Sequence, residues 1–186
     1  MRLPKAVLLD RDGVINFDSP DYILAPDQWR PIPGSLEAIG KLSAAGIAVA
    51  ICSNQSGLGR SMMDEETFRN IHAKMMLAIE EKGGKIAHVA YCPHGPDDSC
   101  KCRKPLPGLL EESLESLDID ASEALMIGDS TRDVQAAHAA GVACWLVQSG
   151  YGDAEKIRAK SQTLMPDIPA YPDLAKAIDA LLNKGI

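Results

Sequence analysis

The stretch VLLDRDGVIN, residues 7–16, joins a short apolar run to two aspartates, Asp10 and Asp12, which flank Arg11. The apolar part is typical of a strand that is buried on both faces of a sheet. Two carboxylates at the end of one strand repel each other, so another part of the chain must supply a compensating positive charge. The residues at the ends of the other strands therefore indicate the function.

Short aliphatic runs alternate with amphipathic stretches along the chain. The predicted strands are Lys5–Leu9, Ile47–Cys52, Ile86–Tyr91, Ala124–Ile127 and Val142–Val147. Apolar residues at helical spacing predict helices at 35–45, 107–117, 131–140 and 172–183. A further helix is predicted to begin at an N-cap, Asp64, and to end before Gly83. This alternation predicts an α/β fold, a Rossmann-like parallel sheet with helices on both faces and right-handed crossovers.

Length and composition limit the classes of protein to consider. A chain of 186 residues with 46% hydrophobic residues suits one domain, 1–186, with a full core. The net charge of −7 argues against a nucleic-acid-binding surface. The sequence shows no signal peptide or membrane span, which predicts a cytoplasmic protein without a membrane partner. The five cysteines are then expected to be thiols or metal ligands rather than disulfides.

Four strand or loop ends carry residues suited to one site. They are Asp10 with Asp12, Ser53 with Asn54, Lys104, and Asp129. Ligands of an open parallel sheet bind beyond the carboxyl ends of its strands. Carboxylate oxygens suit Mg²⁺, which takes one or two carboxylates together with phosphate and water. We therefore expect a magnesium and phosphate site, in which the cation relieves the carboxylate repulsion.

The two aspartates of the first motif suit different steps of phosphoryl transfer. Asp10 is the candidate nucleophile that forms an aspartyl-phosphate. Asp12 lies two residues on, so strand alternation is expected to place it beside Asp10 and to turn Arg11 away. Asp12 is then the candidate general acid and base. Each motif alone is also typical of a turn, a helix cap or a surface lysine, but their joint occurrence at strand ends favours catalysis.

The motifs LLDRDGVIN, ICSNQSG, CRKP and MIGDSTRD together resemble the haloacid dehalogenase superfamily of phosphatases over nearly the whole chain. The resemblance implies Asp10 as nucleophile, Asp12 as general acid and base, and Ser53 and Lys104 as phosphate ligands. It also implies Mg²⁺ on Asp10, on Asp129 and on the backbone carbonyl of Asp12. The segments between the motifs are too short for the separate cap domain of larger relatives, which predicts an open site.

The segment YCPHGPDDSCKCRKP, residues 91–105, contains three thiols and an imidazole: Cys92, His94, Cys100 and Cys102. This set of four matches a closed, tetrahedral structural zinc site. The alternative, small core residues near a loop, suits the segment poorly because prolines, glycine and aspartates mark an exposed loop. We expect zinc to stiffen the loop that carries Arg103 and Lys104. Cys52 and Cys144 lie in strand patterns and are expected to be core thiols.

The zinc loop resembles those of two groups within the superfamily, the heptose 1,7-bisphosphate 7-phosphatases of lipopolysaccharide-sugar synthesis and the histidinol-phosphate phosphatases. NQSGLGR and CRKPLPGLL look like the heptose group. The implied substrate contacts, beside Ser53 and Lys104, are Asp18, Ser19, Asp21, Asn54, Gln55, Ser56, Arg60 and Arg103. The chain departs from the group at Ser130, where a lysine is common. The resemblance therefore implies hydrolysis of the 7-phosphate of D-glycero-D-manno-heptose 1,7-bisphosphate, a small phosphorylated sugar. The protein is also expected to be a monomer.

Three rival functions differ from this interpretation. A histidinol-phosphate phosphatase would use the same chemistry on a substrate with one phosphate. A zinc-loop binding module without catalysis conflicts with the complete set Asp10, Asp12, Lys104 and Asp129. A polynucleotide phosphatase would need a basic or aromatic surface for the strand, and the aromatic content is only 4%.

Overall fold

Six parallel strands form a single sheet in the computed structural model, which describes residues 3–183. The strands are β1 Ala6–Leu9, β2 Ala48–Asn54, β3 His88–Cys92, β4 Ala124–Gly128, β5 Ala143–Val147 and β6 Ala170–Tyr171. Their order across the sheet is β3-β2-β1-β4-β5-β6, and every neighbouring pair is parallel. The predicted Rossmann-like parallel sheet is confirmed.

Helices cover both faces of this sheet. They are α1 Ser35–Ala44, α2 Ser56–Gly59, α3 Glu65–Glu81, α4 Gly108–Leu117, α5 Thr131–Ala140, α6 Ala154–Ser161 and α7 Leu174–Asn183. The apolar faces of α1, α3 and α7 pack on one side of the sheet, and those of α4 and α5 pack on the other. Asp64 caps the start of α3, because its side chain accepts a 2.7 Å hydrogen bond from the Thr67 amide, as the N-cap prediction requires.

Strand β1 is the centre of the molecule. It pairs with β2 on one edge and with β4 on the other. Val7 and Leu9 enter one apolar cluster, Ala6 and Leu8 enter the opposite one, and all four are fully buried. The chain reverses its direction of winding at β1, so the space beyond Leu9 is the crevice in which α/β sheets bind ligands.

The differences from the predicted elements lie in short or polar segments. The five predicted strands and five predicted helices are present, with ends shifted by one or two residues. The two-residue strand β6 has no apolar run of its own, and five of the eight residues of α6 are exposed, so neither gives an apolar pattern. Between β1 and α1 the described chain forms only a 3-10 helix, Pro26–Gln28, and no cap domain. No helix within residues 3–183 is long and apolar enough to cross a membrane.

Candidate active site

A buried lysine joins two aspartates at the end of β1. Asp10 follows the last residue of β1, and its amide donates a 3.1 Å hydrogen bond to the carbonyl of Ile127 in β4. Lys104 Nζ lies 2.9 Å from Asp10 Oδ2 and 2.6 Å from Asp133 Oδ1, and the lysine side chain is only 2% exposed. These carboxylates raise the pKa of Lys104 against the effect of its burial. The lysine is therefore a fixed positive charge beside Asp10.

Asp133 is a wholly buried partner of this lysine. Its Oδ1 accepts the hydrogen bond from Lys104, and its Oδ2 accepts from the Ser130 amide at 3.0 Å and from the Ser130 hydroxyl at 2.6 Å. Lys104 and these Ser130 donors lower the pKa of Asp133, although burial opposes them. Both oxygens of Asp133 are thus engaged by the protein, and the residue positions Lys104.

Asp129 completes a cluster of three carboxylates with Asp10 and Asp133, whose oxygens lie within 4.8 Å of one another. Burial raises the pKa of Asp10 to about 7 and that of Asp129 to about 8, and the neighbouring carboxylates add to both effects. Asp129 accepts no hydrogen bond from residues 3–183. One lysine does not balance three carboxylates, and hard oxygens at this separation fit a divalent cation such as Mg²⁺.

Two glycines form the wall against which the Asp129 carboxylate lies. A Cβ atom on Gly150 would overlap Asp129 Oδ2, and one on Gly13 would stand 2.5 Å from the same oxygen. Gly13 also has φ of +80°, which disfavours a side chain. Ser149 fixes this contact, because its hydroxyl donates a 2.7 Å hydrogen bond to the Gly13 carbonyl. The glycines leave room for the carboxylate beside Asp10.

Asp12 is held by a ring of donors, and the expectation that Arg11 turns away is wrong. Arg11 Nε and Nη2 donate to the Asp12 carboxylate at 2.9–3.1 Å. Asn16 Nδ2 donates at 2.8 Å and Gln55 Nε2 at 2.9 Å. Strand β1 ends at Leu9, so strand alternation no longer governs the directions of side chains beyond it. The Asp12 side chain remains 22% exposed and lines the cavity.

The carboxyl end of β2 is tied to the segment that carries Lys104. Asn54 Nδ2 donates to the Lys104 carbonyl, and the Lys104 amide donates to Asn54 Oδ1, both at 3.0 Å. Ser53 is 3% exposed, and its hydroxyl oxygen accepts a 2.7 Å hydrogen bond from Gln55 Nε2. These contacts, together with the one between Lys104 and Asp10, place the ends of β1 and β2 around one crevice. We call the segment that carries Lys104 the lysine loop.

A cavity of about 230 Å³ opens over these groups. Of the predicted site residues, it is lined by Asp10, Asp12, Asp18, Ser19, Asn54, Gln55, Ser56, Arg103, Lys104 and Asp129. Ser53 lies beneath this lining. Asp21 and Arg60 do not line it. Arg60 follows α2. Its Nε instead lies about 4.0 Å from the position that a Cβ atom on Gly95 would take, beside residues 93–107, which we call the cysteine loop.

Sequence reasoning missed several residues that shape this cavity. Tyr22, Ile23, Met63, Ser130 and Arg132 also line it. Ser130 and Arg132 follow Asp129 within the motif MIGDSTRD, so the sequence could have predicted that they lie near the site. No sequence pattern pointed to Gly150, because its role depends on a contact between distant loops.

The four predicted thiol and imidazole ligands form the second cluster. Their ligand atoms lie within 4.8 Å of one another. Cys92 Sγ is 3.8 Å from Cys100 Sγ, 3.1 Å from Cys102 Sγ and 3.5 Å from His94 Nδ1, which is 3.4 Å from Cys102 Sγ. A zinc tetrahedron has edges of about 3.8 Å between sulfurs and about 3.5 Å between sulfur and nitrogen. The donor set and its spacing therefore fit a zinc ion.

Known proteins share both the sequence and the architecture. A model of the HAD-hydrolase-like family matches residues 101–177. The D-glycero-beta-D-manno-heptose-1,7-bisphosphate 7-phosphatase of Bordetella bronchiseptica is 48% identical over 97% of this chain and 99% of its own. The chain belongs to the heptose-1,7-bisphosphate 7-phosphatase family. Another member, from Pseudomonas aeruginosa, is 44% identical over 95% of this chain and 97% of its own.

Solved structures of heptose-1,7-bisphosphate 7-phosphatases have the same fold. The Bordetella bronchiseptica enzyme, complexed with magnesium and phosphate, has a TM-score of 0.90 at 43% identity and covers 96% of this chain and 98% of its own. The Burkholderia thailandensis enzyme has a TM-score of 0.73 at 34% identity, over 95% and 97% of the two chains. The predicted superfamily, the resemblance to the heptose group and the assignment as a phosphatase are confirmed.

Proposed function

We propose that this chain removes the 7-phosphate from D-glycero-β-D-manno-heptose 1,7-bisphosphate by way of an aspartyl-phosphate on Asp10. One observation carries the proposal: in a chain similar to these phosphatases along its length, Lys104 lies 2.9 Å from the Asp10 carboxylate at the floor of an open cavity. A fixed cation beside a candidate nucleophile suits the transfer of a phosphoryl dianion.

In the first step, an Asp10 oxygen attacks phosphorus and the bond between phosphorus and the sugar oxygen breaks. The Arg11 amide donates to Asp10 Oδ1 at 2.7 Å and Lys104 contacts Oδ2, so the carboxylate is oriented at both oxygens. Lys104 stays within reach of a phosphoryl group on Asp10 and offsets its charge. Asp12 protonates the departing sugar oxygen.

In the second step, water attacks phosphorus and the Asp10–phosphate bond breaks. Asp12 takes the proton of the water, inorganic phosphate leaves, and the Asp10 carboxylate is restored. The donors from Arg11, Asn16 and Gln55 hold Asp12 in one orientation through both steps. Ser53 and the neighbouring amides of the loop after β2 contribute hydrogen bonds to the phosphoryl oxygens.

We propose Mg²⁺ as the resident cation of the Asp10 and Asp129 carboxylates and the Asp12 carbonyl. When bound, it supplies positive charge that offsets the carboxylates and the phosphoryl oxygens. Asp133 serves this site from outside, because both its oxygens are already occupied by Lys104 and Ser130. The raised pKa values of Asp10 and Asp129 without a cation support this assignment.

We propose a structural zinc ion on Cys92, His94, Cys100 and Cys102. All four donors come from the protein, which leaves no open position for a water molecule and so no catalytic role. The loop is linked to the active site because Arg103 Nη1 donates a 2.9 Å hydrogen bond to the His94 carbonyl. Zinc would thus hold the segment that presents Arg103 and Lys104.

The substrate is proposed to lie along the loop after β1. Asp18, Ser19 and Ser56 line the cavity beside the reacting carboxylate and offer hydrogen-bond partners for sugar hydroxyls. We also propose a cytoplasmic monomer, since all five cysteines are unpaired, which suits a reducing compartment. The cavity is built within one chain.

A product-resolved assay tests the substrate. Purified protein with Mg²⁺ is given heptose 1,7-bisphosphate or histidinol phosphate, and phosphorus NMR follows which phosphate is released. We expect release of the 7-phosphate, with the 1-phosphate retained on the sugar, at a kcat/KM at least about tenfold above that for histidinol phosphate. Preferential hydrolysis of histidinol phosphate, or release of the 1-phosphate, would contradict the proposal.

A further inference from the structure

Four cationic side chains line the active-site cavity, and only two of them form salt bridges with carboxylates in the described chain. Arg11 is paired with Asp12, and Lys104 is paired with Asp10 and Asp133. Arg103 and Arg132 form no ion pair with any residue in 3–183. The Arg103 side chain donates only to the His94 carbonyl, and the Arg132 side chain makes no hydrogen bond within the described chain. Two guanidinium groups with unused donors therefore stand at the cavity.

These two arginines also line a second cavity, of about 250 Å³, next to the first. Its other lining residues are Pro96, Asp98, Cys100, Lys104, Pro105 and Leu106. Because Arg103 and Arg132 face both cavities, they stand where a substrate would extend away from Asp10. Asp98 forms no salt bridge with either arginine among the described residues, and its Oδ2 accepts a 2.7 Å hydrogen bond from the Gly95 amide.

The lining of the first cavity also includes a carboxylate that forms no salt bridge in the described chain. Asp18 lines it, and burial raises the pKa of Asp18, with Asp12 adding to the effect, while Arg132 and Arg11 act in the other direction. Arg132 and Asp18 thus interact electrostatically without forming a salt bridge. Repulsion from Asp18 would disfavour an anion that moved from the two arginines toward that carboxylate.

We infer that Arg132, with Arg103, binds the distal phosphate of the substrate, the one that is not transferred. A planar guanidinium offers two parallel donors to a phosphate, and two such groups without carboxylate partners suit a second dianion. Arg132 is then a specificity-determining residue that the chemistry at phosphorus does not need. Arg60, which lies outside both cavities, has no part in this subsite. The inference rests on the proposed function.

The test removes the arginine and the distal phosphate separately. Wild type, Arg132→Ala, Arg132→Lys and the control Arg158→Ala are assayed on heptose 1,7-bisphosphate and on heptose 7-phosphate. Arg158 is an exposed arginine of α6 that lines neither cavity, so its loss changes the net charge equally. Thermal melts check that each variant is folded, and Arg132 is itself exposed and unpaired.

Loss of a charged hydrogen bond to phosphate lowers kcat/KM by about ten- to a hundred-fold. We expect Arg132→Ala to show this loss on the bisphosphate, chiefly as a raised KM because the distal contact is the same in ground and transition states. On the 7-phosphate the change should stay within about threefold. Arg132→Lys should recover part of the loss, since it keeps the charge but not the planar fork.

Equal losses on both substrates, or no loss on either, would overturn the inference and leave the proposed function standing. A wild type that acts on neither heptose phosphate would instead overturn the proposed function. The subsite would then be judged on fructose 1,6-bisphosphate against fructose 6-phosphate, with the same variants and the same pattern required.

Discussion

The two clusters of candidate metal ligands are held in opposite ways. Asp10 and Asp129 stand directly after β1 and β4, two neighbouring strands whose register is fixed by buried residues on both faces. Cys92 ends β3, but residues 93–107, all of them described, form no helix or strand. The sheet holds the carboxylates together against their repulsion, whereas the thiols and the imidazole hold their own loop.

This difference teaches what each cluster contributes to the molecule. Burial and mutual repulsion destabilise the charged carboxylates of this cluster, and both effects raise the pKa values of Asp10 and Asp129. Removing one of its charges should therefore affect activity far more than folding. The thiol cluster has little support from regular structure, so removing one ligand should affect folding first and activity only through the loop.

Replacement of the nucleophile is the largest expected effect. Asp10→Asn keeps the shape of the side chain but removes the attacking carboxylate, so kcat should fall by more than about 10⁴-fold. Stability should change by less than about 1 kcal/mol, a shift in Tm of at most about 4 °C. Single-turnover phosphate release and differential scanning calorimetry measure the two effects.

The matched control for this experiment is Asp27→Asn, at an exposed aspartate of the 3-10 helix. It should leave both activity and Tm unchanged. Substantial turnover by Asp10→Asn would remove Asp10 from its proposed role, and a Tm lowered well beyond the control would break the contrast between the clusters.

A smaller effect is expected when the wall behind Asp129 is altered. A Cβ on Gly150 would overlap Asp129 Oδ2, so Gly150→Ala must displace the carboxylate. Mg²⁺ affinity should fall by about 10–100-fold, as is typical when groups that orient a metal ligand are lost. Calorimetric titration with Mg²⁺ measures this without substrate.

Gly46→Ala is the control for this substitution. Gly46 has φ of +73° and nothing within 4 Å of an added Cβ, so alanine there strains the backbone without contacting the site. It should cost about 1 kcal/mol of stability and leave Mg²⁺ binding unchanged. Unaltered Mg²⁺ affinity in Gly150→Ala would show that Asp129 does not need its observed position.

The smallest effect on activity is expected at the cysteine loop. Cys100→Ser should remove about one equivalent of zinc per chain and lower stability by about 2 kcal/mol, or roughly 4–8 °C in Tm. Activity should fall by only about two- to tenfold, because Lys104 keeps its contacts with Asp10 and Asp133. Metal analysis, calorimetry and phosphate release are measured on the same samples.

Ser99→Ala, at the exposed neighbour of Cys100, is the control and should change none of these quantities. Wild type purified without chelator and found free of zinc would contradict the proposed zinc site. A Cys100→Ser variant with wild-type Tm would instead show that the loop does not depend on its cluster.

The sequence predicted the sheet and the reacting groups because both follow from position along strands. β1 to β5 are apolar enough to be read as buried strands, and Asp10 and Asp129 follow two of them directly. The orientation of Arg11 was predicted wrongly, because the chain leaves the strand at Leu9 and its backbone then follows a loop. Alternation holds only within a strand.

Contacts between distant loops gave no sequence signal. The role of Gly150 depends on where Asp129 turns, and Arg132 matters because the start of α5 faces the lysine loop. Arg60 looked like a substrate ligand from its motif, yet the short helix α2 carries it toward the cysteine loop. Tertiary packing, rather than local pattern, sets these positions.

The central place of β1 has a consequence for the chain as it leaves the ribosome. β1 ends at Leu9, but β4, which covers one of its edges, begins only at Ala124. At about 5–20 residues per second, translation leaves that edge unpaired for several seconds or longer. A fully apolar strand with a free edge is a template for pairing with other chains. Nascent chains that stop short of β4 are therefore aggregation-prone and suitable clients for chaperones.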